Sequence, residues 1–373
     1  MIRIGFDAKR AFFNNRGLGN YSRGLIRIVS ECQPDNEYFL LTPKTKGAIY
    51  DSFPENCKVI EPHSAFYTRF PSLWRSSGQI KEITELKLDI FHGLSHELPL
   101  GIKRTNARSV VTMHDLIFCK FPELYPWIDR QLYKRKYFRS CRDADKIIAI
   151  SEQTKMDLMD LAGIEEQKIE VVYQGCNPIF QKKISQEELL AIKSKYNLPE
   201  QYLLNVGAIE KRKNQELIIK AIAFGNIDTP LIIVGNPTEY IRELETLIAK
   251  HHLESKIHFL TNVPTEDLPA IYQLASIFVY PSLFEGFGIP IIEAIQSNIP
   301  VITSKGSCFQ ETGGPASSYV SHDNVEELAS AVEEILGNTE KRKIMVHDSL
   351  IYAEMFSDSN ISKSLMGVYQ QLL

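Results

Sequence analysis

The chain has 373 residues, of which 44% are hydrophobic, 10% aromatic and 24% charged, with a formal net charge of −4. That length exceeds one comfortable hydrophobic core and predicts two domains of ordinary size, in a globular rather than disordered, collagenous or disulfide-rich chain. The charge divides unevenly, with 26 Lys and Arg against 22 Asp and Glu in residues 1–180 and 16 against 24 in the rest. Neither half suggests a duplex DNA surface, and the mildly basic first half suits an anionic acceptor or a membrane surface.

The opening Met1-Ile2-Arg3-Ile4-Gly5-Phe6-Asp7 reads as a short strand rather than a signal peptide. No apolar run approaches the roughly 18–20 residues of a membrane span. Six cysteines (32, 57, 119, 141, 176 and 308) lack a Cys-x-x-Cys pair and read as reduced thiols in a cytoplasmic protein. Strand patterns then fall at 2–7, 38–42, 58–61, 89–92, 109–113, 146–150 and 169–173, with helical stretches at 18–32, 72–87, 127–142 and 151–162. A polar segment from about 177 to 200 reads as a linker followed by a helix. A second alternating series has strands at 202–207, 231–235, 257–260, 277–280, 299–303 and 318–320. Its helices fall at 213–225, 238–252, 265–274, 289–298 and 324–336. Residues 340–372 carry helical periodicity with a break near Ser357-Asp358. Strands alternating with helices twice over predict two doubly wound parallel α/β units, which bind ligands beyond the C-terminal ends of their strands.

Several motifs fall at such strand ends. Asn14-Asn15-Arg16-Gly17-Leu18-Gly19-Asn20 reads as a glycine loop between the first strand and the first helix, suited to phosphate. A nicotinamide cofactor does not fit, because Ser22 stands at the third fingerprint glycine and Leu41-Thr42-Pro43-Lys44 offers no acidic ribose ligand. His92-Gly93-Leu94-Ser95-His96 reads as a polar loop. Thr112-Met113-His114-Asp115 ends another strand, with Asp115 placed to orient His114. Asp143-Ala144-Asp145 matches an Asp-x-Asp metal motif but lies between a basic helix and a strand, so no metal site is expected there. The helix around Tyr125–Arg142 interleaves six Lys and Arg with Trp127, Tyr133, Tyr137 and Phe138. It reads first as a solvated face with inward aromatics, and second as a surface for anionic lipid.

In the second series, Leu204-Asn205-Val206-Gly207-Ala208-Ile209-Glu210-Lys211-Arg212-Lys213-Asn214 places three cations just before or within the start of a helix. Cations there oppose the helix dipole and make sense if an anion binds among them. Further on, Pro281-Ser282-Leu283-Phe284-Glu285-Gly286-Phe287-Gly288-Ile289-Pro290-Ile291-Ile292-Glu293-Ala294 follows a strand and opens a helix. Its backbone N–H groups suit a phosphate, and a buried Glu293 needs donors such as sugar or ribose hydroxyls. From the residues alone, both glutamates could equally serve only the helix dipole.

The two glutamates eight positions apart resemble the Glu-x7-Glu signature of retaining glycosyltransferases of family 4, and the resemblance covers nearly the whole chain. It implies the GT-B fold, with two Rossmann-like domains facing across a cleft and a C-terminal helix crossing back. The expected divisions are 1–180 on the acceptor side, 181–355 for the nucleotide sugar, and 356–373 for the returning helix. It implies a retaining, metal-independent hexosyltransferase that needs no cofactor. The donor would be a nucleotide-diphosphate sugar, GDP-mannose favoured, and the acceptor a saccharide or lipid-linked saccharide. A peripheral contact with the inner membrane face is a further expectation; nucleic acid is not an expected partner. Lys213 and Arg212 would meet the leaving diphosphate. Glu285 would hold sugar hydroxyls and Glu293 the ribose diol, and Gly286, Phe287 and Gly288 would offer backbone donors. His114 would reach the transferred sugar, and Gly17 and Gly19 would approach donor phosphates or acceptor. Ala208 stands where that family often has an arginine. The alternatives are a GT-B sugar-nucleotide epimerase or hydrolase, distinguished by activity without an acceptor, and a non-catalytic sugar-nucleotide-binding protein, which would turn nothing over.

Overall fold

Short apolar runs that are buried along their whole length belong in parallel sheets covered by helices on both faces. The computed structural model, which describes residues 1–373, places thirteen short strands in two parallel sheets, the central ones buried along their whole length. The chain divides into two compact units, Met1–Gly175 together with Phe356–Leu373, and Cys176–Met355.

The first unit holds β1 (Arg3–Asp7), β2 (Glu37–Leu41), β3 (Cys57–Ile60), β4 (Ile90–Gly93), β5 (Arg108–Met113), β6 (Lys146–Ala149) and β7 (Ile169–Val171). Their order is β3-β2-β1-β4-β5-β6-β7, every pair parallel. The second unit holds β8 (Leu203–Val206), β9 (Leu231–Val234), β10 (Ile257–Leu260), β11 (Ile277–Tyr280), β12 (Val301–Ser304) and β13 (Ser318–Val320). Their order is β10-β9-β8-β11-β12-β13, again parallel throughout. Central strands such as β9 and β11 are wholly buried, whereas the edge strand β3 exposes Lys58 and Val59 between half-buried Cys57 and Ile60. In each sheet the chain reverses its direction of travel beside the first strand, between β1 and β4 and between β8 and β11. Such switch points leave a crevice at the strand C-termini where ligands bind.

All thirteen strand patterns correspond to strands, but three local readings change. The expected helix over 72–87 is broken into Pro71–Leu73, a π-helical turn at Trp74–Gly78 and Gln79–Glu85. The bulge accompanies full burial of Trp74, whose indole donates to Glu82 Oε1 at 3.0 Å. An extra short helix, Lys9–Phe13, follows β1, so Gly17 and Gly19 lie in the first turn of the helix Gly17–Cys32 rather than in an open loop. The three cations 211–213 form a 3-10 turn, ended by Asn214 at φ 57°, and the helix proper begins only at Gln215.

After the helix Thr339–Ala353 and a 3-10 turn at Glu354–Phe356, the helix Asp358–Gln370 packs against Gly17–Cys32 in the first unit. Arg27 and Asp358 pair across that contact at 2.8 Å.

Candidate active site

The switch point of the second unit brings together the segments after β8 and after β11. The chain leaves β8 through Gly207 at φ 153°, a conformation that side chains rarely adopt, and turns toward β11. Asn214 secures the turn, its amide donating to the carbonyls of Pro281 at 3.0 Å and His322 at 2.7 Å. Leu283 N–H donates to the Arg212 carbonyl at 2.9 Å, so the two segments are laced through backbone as well as side chains.

Lys213, Arg212 and Glu285 form one charge cluster in this crevice. Lys213 is buried, and its ammonium lies 2.6 Å from Glu285 Oε1 and 2.6 Å from the Tyr280 hydroxyl. The Tyr280 and Ser282 hydroxyls donate to the same carboxylate oxygen at 3.1 and 3.0 Å. Arg212 reaches Glu285 Oε2 at 2.7 Å, the Phe284 carbonyl at 2.7 Å and Glu210 Oε1 at 2.6 Å. Burial alone would raise the Glu285 carboxyl, but Lys213 and Arg212 overcome it and hold it at about 2. Burial likewise opposes the Arg212 charge, and Glu285 followed by Glu210 more than restores it. Two carboxylates therefore balance two cations in a low-dielectric pocket, where each charge matters more than it would in water.

The cations do not oppose a helix dipole as their spacing suggested, because Asn214 separates them from the helix and Lys213 turns inward. Ala208 contributes no charge, and Arg212 supplies the second cation. Gly288, at φ 96°, precedes the helix Ile289–Gln296, whose first turn contains Pro290. Phe284 and Phe287 are buried and anchor the loop. Glu293 is partly buried on that helix and does not touch the Glu285 cluster; its Oε2 accepts from the Tyr272 hydroxyl at 2.9 Å. Burial raises its carboxyl to about 7, with Tyr272 opposing.

Two residues bracing this loop escaped the sequence reading. The Ser307 hydroxyl lies 3.4 Å from the Glu285 amide and donates to the Glu285 carbonyl at 3.1 Å. The Cys308 thiol reaches the carbonyls of Phe287 at 3.0 Å and Glu285 at 3.3 Å. The available signal was Gly306-Ser307 directly after an apolar strand, since Ser307 takes the left-handed φ of 50°.

In the first unit, His114 follows β5 and is buried, with its Nε2 donating to the Leu94 carbonyl at 2.9 Å. Nδ1 is then the acceptor of a neutral ring. Burial lowers its basicity to about 4, although the Leu94 carbonyl opposes this. Asp115 does not orient the imidazole through Nε2; its carboxylate accepts from Ile117 N–H at 3.1 Å. The Tyr21 ring meets His114 edge-on at 4.5 Å, and the His96 ring lies 5.0 Å away. His92 is not a loop residue but a fully buried member of β4.

Gly19 is a glycine for a different reason from phosphate approach. A Cβ there would stand 1.7 Å from the Asn14 carbonyl oxygen, and its N–H is used by the Arg16 carbonyl at 2.9 Å. Gly17 lies in open space, with nothing within 4 Å of a Cβ position. Also missed was half-buried Arg75, which joins the end of β1 to the loop after β4 through Asp7 at 2.8 Å and Glu97 at 3.3 Å.

Comparison with known proteins bears on the family and the fold. The family profile described as "Glycosyl transferases group 1" matches residues 187–349, and the one described as "Glycosyltransferase Family 4" matches residues 22–179. The O-antigen chain mannosyltransferase B of Escherichia coli is 30% identical over 394 aligned positions covering 100% of both chains. Among solved structures, sucrose-phosphate synthase from Thermosynechococcus elongatus superposes with a TM-score of 0.80 at 20% identity, covering 100% of this chain and 99% of that one. Anabaena HepE in complex with UDP and glucose gives 0.75 at 18% identity, with 100% of both chains covered. These likenesses, with two parallel sheets of seven and six strands, identify the fold as GT-B. Matched in both halves and similar along its full length to a curated relative, the chain belongs to glycosyltransferase family 4, the group 1 glycosyl transferases, and is a hexosyltransferase.

Proposed function

We propose that this enzyme moves mannose from GDP-mannose, with retention at the anomeric carbon and without a metal ion, onto a saccharide or lipid-linked saccharide. The observation that carries the reading is the pairing of Lys213 and Arg212 with Glu285 at the β8/β11 switch point. A departing nucleoside diphosphate is the charge such a pair of cations meets. Lys213 uses two of its three N–H groups on Glu285 and Tyr280, and the third is available to a phosphate oxygen. Arg212 adds planar donors fixed by the Phe284 carbonyl. Donors already in place where negative charge develops require little reorganisation during the reaction.

Glu285 then holds hydroxyls of the transferred sugar, and Glu293 holds the ribose diol. His114 Nδ1 accepts from a sugar hydroxyl. Gly286, Phe287 and Gly288 offer backbone donors, and Gly17 lies open to a phosphate. With Glu285 occupied by two cations, no carboxylate is free to act as a nucleophile on this cluster. Retention therefore proceeds by front-face attack, the leaving phosphate taking the acceptor proton. The mannosyl choice follows the named activity of the Escherichia coli relative. A lipid-linked acceptor would bring the enzyme into peripheral contact with a membrane; no helix is long and apolar enough to cross one.

Thermal unfolding with GDP-, UDP- and ADP-sugars, in metal-free buffer, tests this on wild type and Lys213→Ala. A concentration-dependent stabilisation by GDP-mannose that is reduced in the variant is expected. No stabilisation of folded wild type by any nucleotide sugar would overturn the reading.

A further inference from the structure

The crevice at the β1/β4 switch point of the first unit holds more positive charge than its own residues neutralise. Lys9 and Arg10 follow β1 in the short helix Lys9–Phe13, and Arg75 comes from the π-helical turn Trp74–Gly78. Asp7 ends β1, and Glu97 lies in the loop after β4. Arg75 engages both carboxylates, Asp7 at 2.8 Å and Glu97 at 3.3 Å, and also reaches the Ser95 hydroxyl at 3.3 Å. Lys9 and Arg10 are half-buried, and neither side chain has an ion pair or a hydrogen bond. Burial first, then Arg75 and Arg10, lower the Lys9 ammonium from its ordinary range, and Asp7 and Glu97 only partly restore it. Desolvated charges are costly without a partner, and these two cations have none within the chain.

His96, in the same loop as Glu97, is an independent sign of an unfilled site. It is only 6% exposed, yet it takes the left-handed φ of 65°, which residues other than glycine rarely adopt. Its ring stacks on Tyr137 at 4.5 Å and lies 5.0 Å from the His114 ring. No protein group hydrogen-bonds either ring nitrogen, and Nδ1 is sealed from solvent. Burial first, then His114, Arg10 and Arg75, push its basicity far down, so the ring is neutral near pH 7 and carries one N–H donor. Two unpaired cations beside an unpartnered imidazole complement an oxyanion.

We propose that this crevice is an oxyanion site, in which Lys9, Arg10 and the His96 ring bind a phosphate or carboxylate carried by the acceptor. The guanidinium fork of Arg10 matches the paired oxygens of either group, and Lys9 adds a point charge. A neutral saccharide would leave both cations unbalanced. The assignment deepens the proposed function and rests on the first unit receiving the acceptor, but the anion binding is measured without transfer and without the donor.

Thermal unfolding of the full chain is followed at constant ionic strength with inorganic phosphate, mannose 6-phosphate, glucuronate and methyl mannoside. Wild type is compared with Lys9→Gln combined with Arg10→Gln, and with Lys213→Ala, which removes a phosphate-binding cation of the second unit. At least one sugar-borne anion is expected to stabilise wild type and Lys213→Ala alike, at lower concentration than inorganic phosphate, with methyl mannoside without effect. The Lys9 and Arg10 double variant should bind that anion about tenfold more weakly. It orphans no partner, so its melting temperature without ligand should not fall, and GDP-mannose should stabilise it as it does wild type. Failure of the donor reading would instead abolish the GDP-mannose effect in every protein and leave the anion effect in place. Should the double variant not fold, Arg10→Gln alone is expected to weaken the anion in the same direction. No stabilisation of wild type by either sugar anion, equal stabilisation of wild type and the double variant, or loss only in Lys213→Ala would overturn the proposal. So would inorganic phosphate matching both sugar anions, which would assign the crevice to a free ion, or methyl mannoside matching them, which would assign it to a neutral sugar.

Discussion

The Tyr369 hydroxyl lies 2.7 Å from His92 Nδ1, joining the last helix of the chain to the centre of the first sheet. His92 Nε2 continues to the Thr112 hydroxyl at 2.8 Å, and Thr112 to the Tyr21 hydroxyl at 3.0 Å. Tyr21 is the ring that meets His114 edge-on. A buried chain of this kind has little tolerance for a missing member, because each orphaned group keeps its desolvation cost. Tyr369→Phe should therefore destabilise the protein by about 1–3 kcal/mol in urea unfolding. An unchanged midpoint would show that the chain contributes nothing.

The same histidines set an acid limit. Burial first, and the nearby His114 second, lower His92 to about 3, while burial lowers His114 to about 4. An unfolded chain takes up these protons near pH 6.5, well before the folded one does. Their contribution to stability is complete above pH 6.5 and falls as pH drops toward 4, by about 2 kcal/mol for each ring at pH 5. Histidine side-chain NMR should show His92 and His114 neutral throughout pH 5–8, and titration of either ring near 6.5 would contradict this.

Glu285→Gln keeps the shape of the carboxylate and removes its charge. It should release Lys213 and Arg212 from their internal partner, so bare nucleoside diphosphate should bind several-fold tighter while transfer falls by on the order of 10²-fold. Calorimetric titration with the diphosphate separates this from a merely structural role, for which binding and transfer would weaken together. Glu285 also contributes stability above pH 4.5 that is lost as pH falls toward 2, on the order of 3 kcal/mol in full.

Glu293 behaves in the opposite sense. Its raised carboxyl contributes fully below pH 4.5, and that contribution is lost as pH rises through about 7. Glu293→Gln, which imitates the protonated acid, should match wild type near pH 4.5 and exceed it by about 2–3 kcal/mol at pH 8.5. If Glu293 holds a ribose diol, the same variant should weaken nucleotide binding. A pH-independent difference in stability would refute the raised carboxyl.

Gly17 and Gly19 should part company under substitution. Gly19→Ala drives a methyl group into the Asn14 carbonyl and should cost about 2–4 kcal/mol. Gly17→Ala meets open space on a helix and should stabilise by about 0.5–1 kcal/mol. Equal melting temperatures for the two variants would show that the turn at Asn14 yields easily.

The strand pattern and the family motif were legible in the sequence because both depend on neighbours along the chain. Runs such as Ile277–Tyr280 and Leu231–Val234 are apolar at every position, as a strand covered on both faces requires. The Glu285/Glu293 spacing and the cations at 211–213 were equally readable. What the sequence could not provide was the pairing of groups distant along the chain. Lys213 and Glu285 are 72 positions apart, and only the adjacency of β8 and β11 joins them into a balanced cluster. His92 and Tyr369, separated by 277 positions, meet only because the last helix packs in the first unit. The role of Gly19 was hidden for a related reason, since its constraint comes from the Asn14 carbonyl folding back against it. On the helix Trp127–Asp143, composition alone could not say which aromatics turn inward, and packing against Phe118 and His96 decided that Tyr133 and Tyr137 do while Trp127 does not. Local periodicity sets strands and helices, but charge balance, burial and hydrogen-bond partners belong to contacts that form only when distant segments meet.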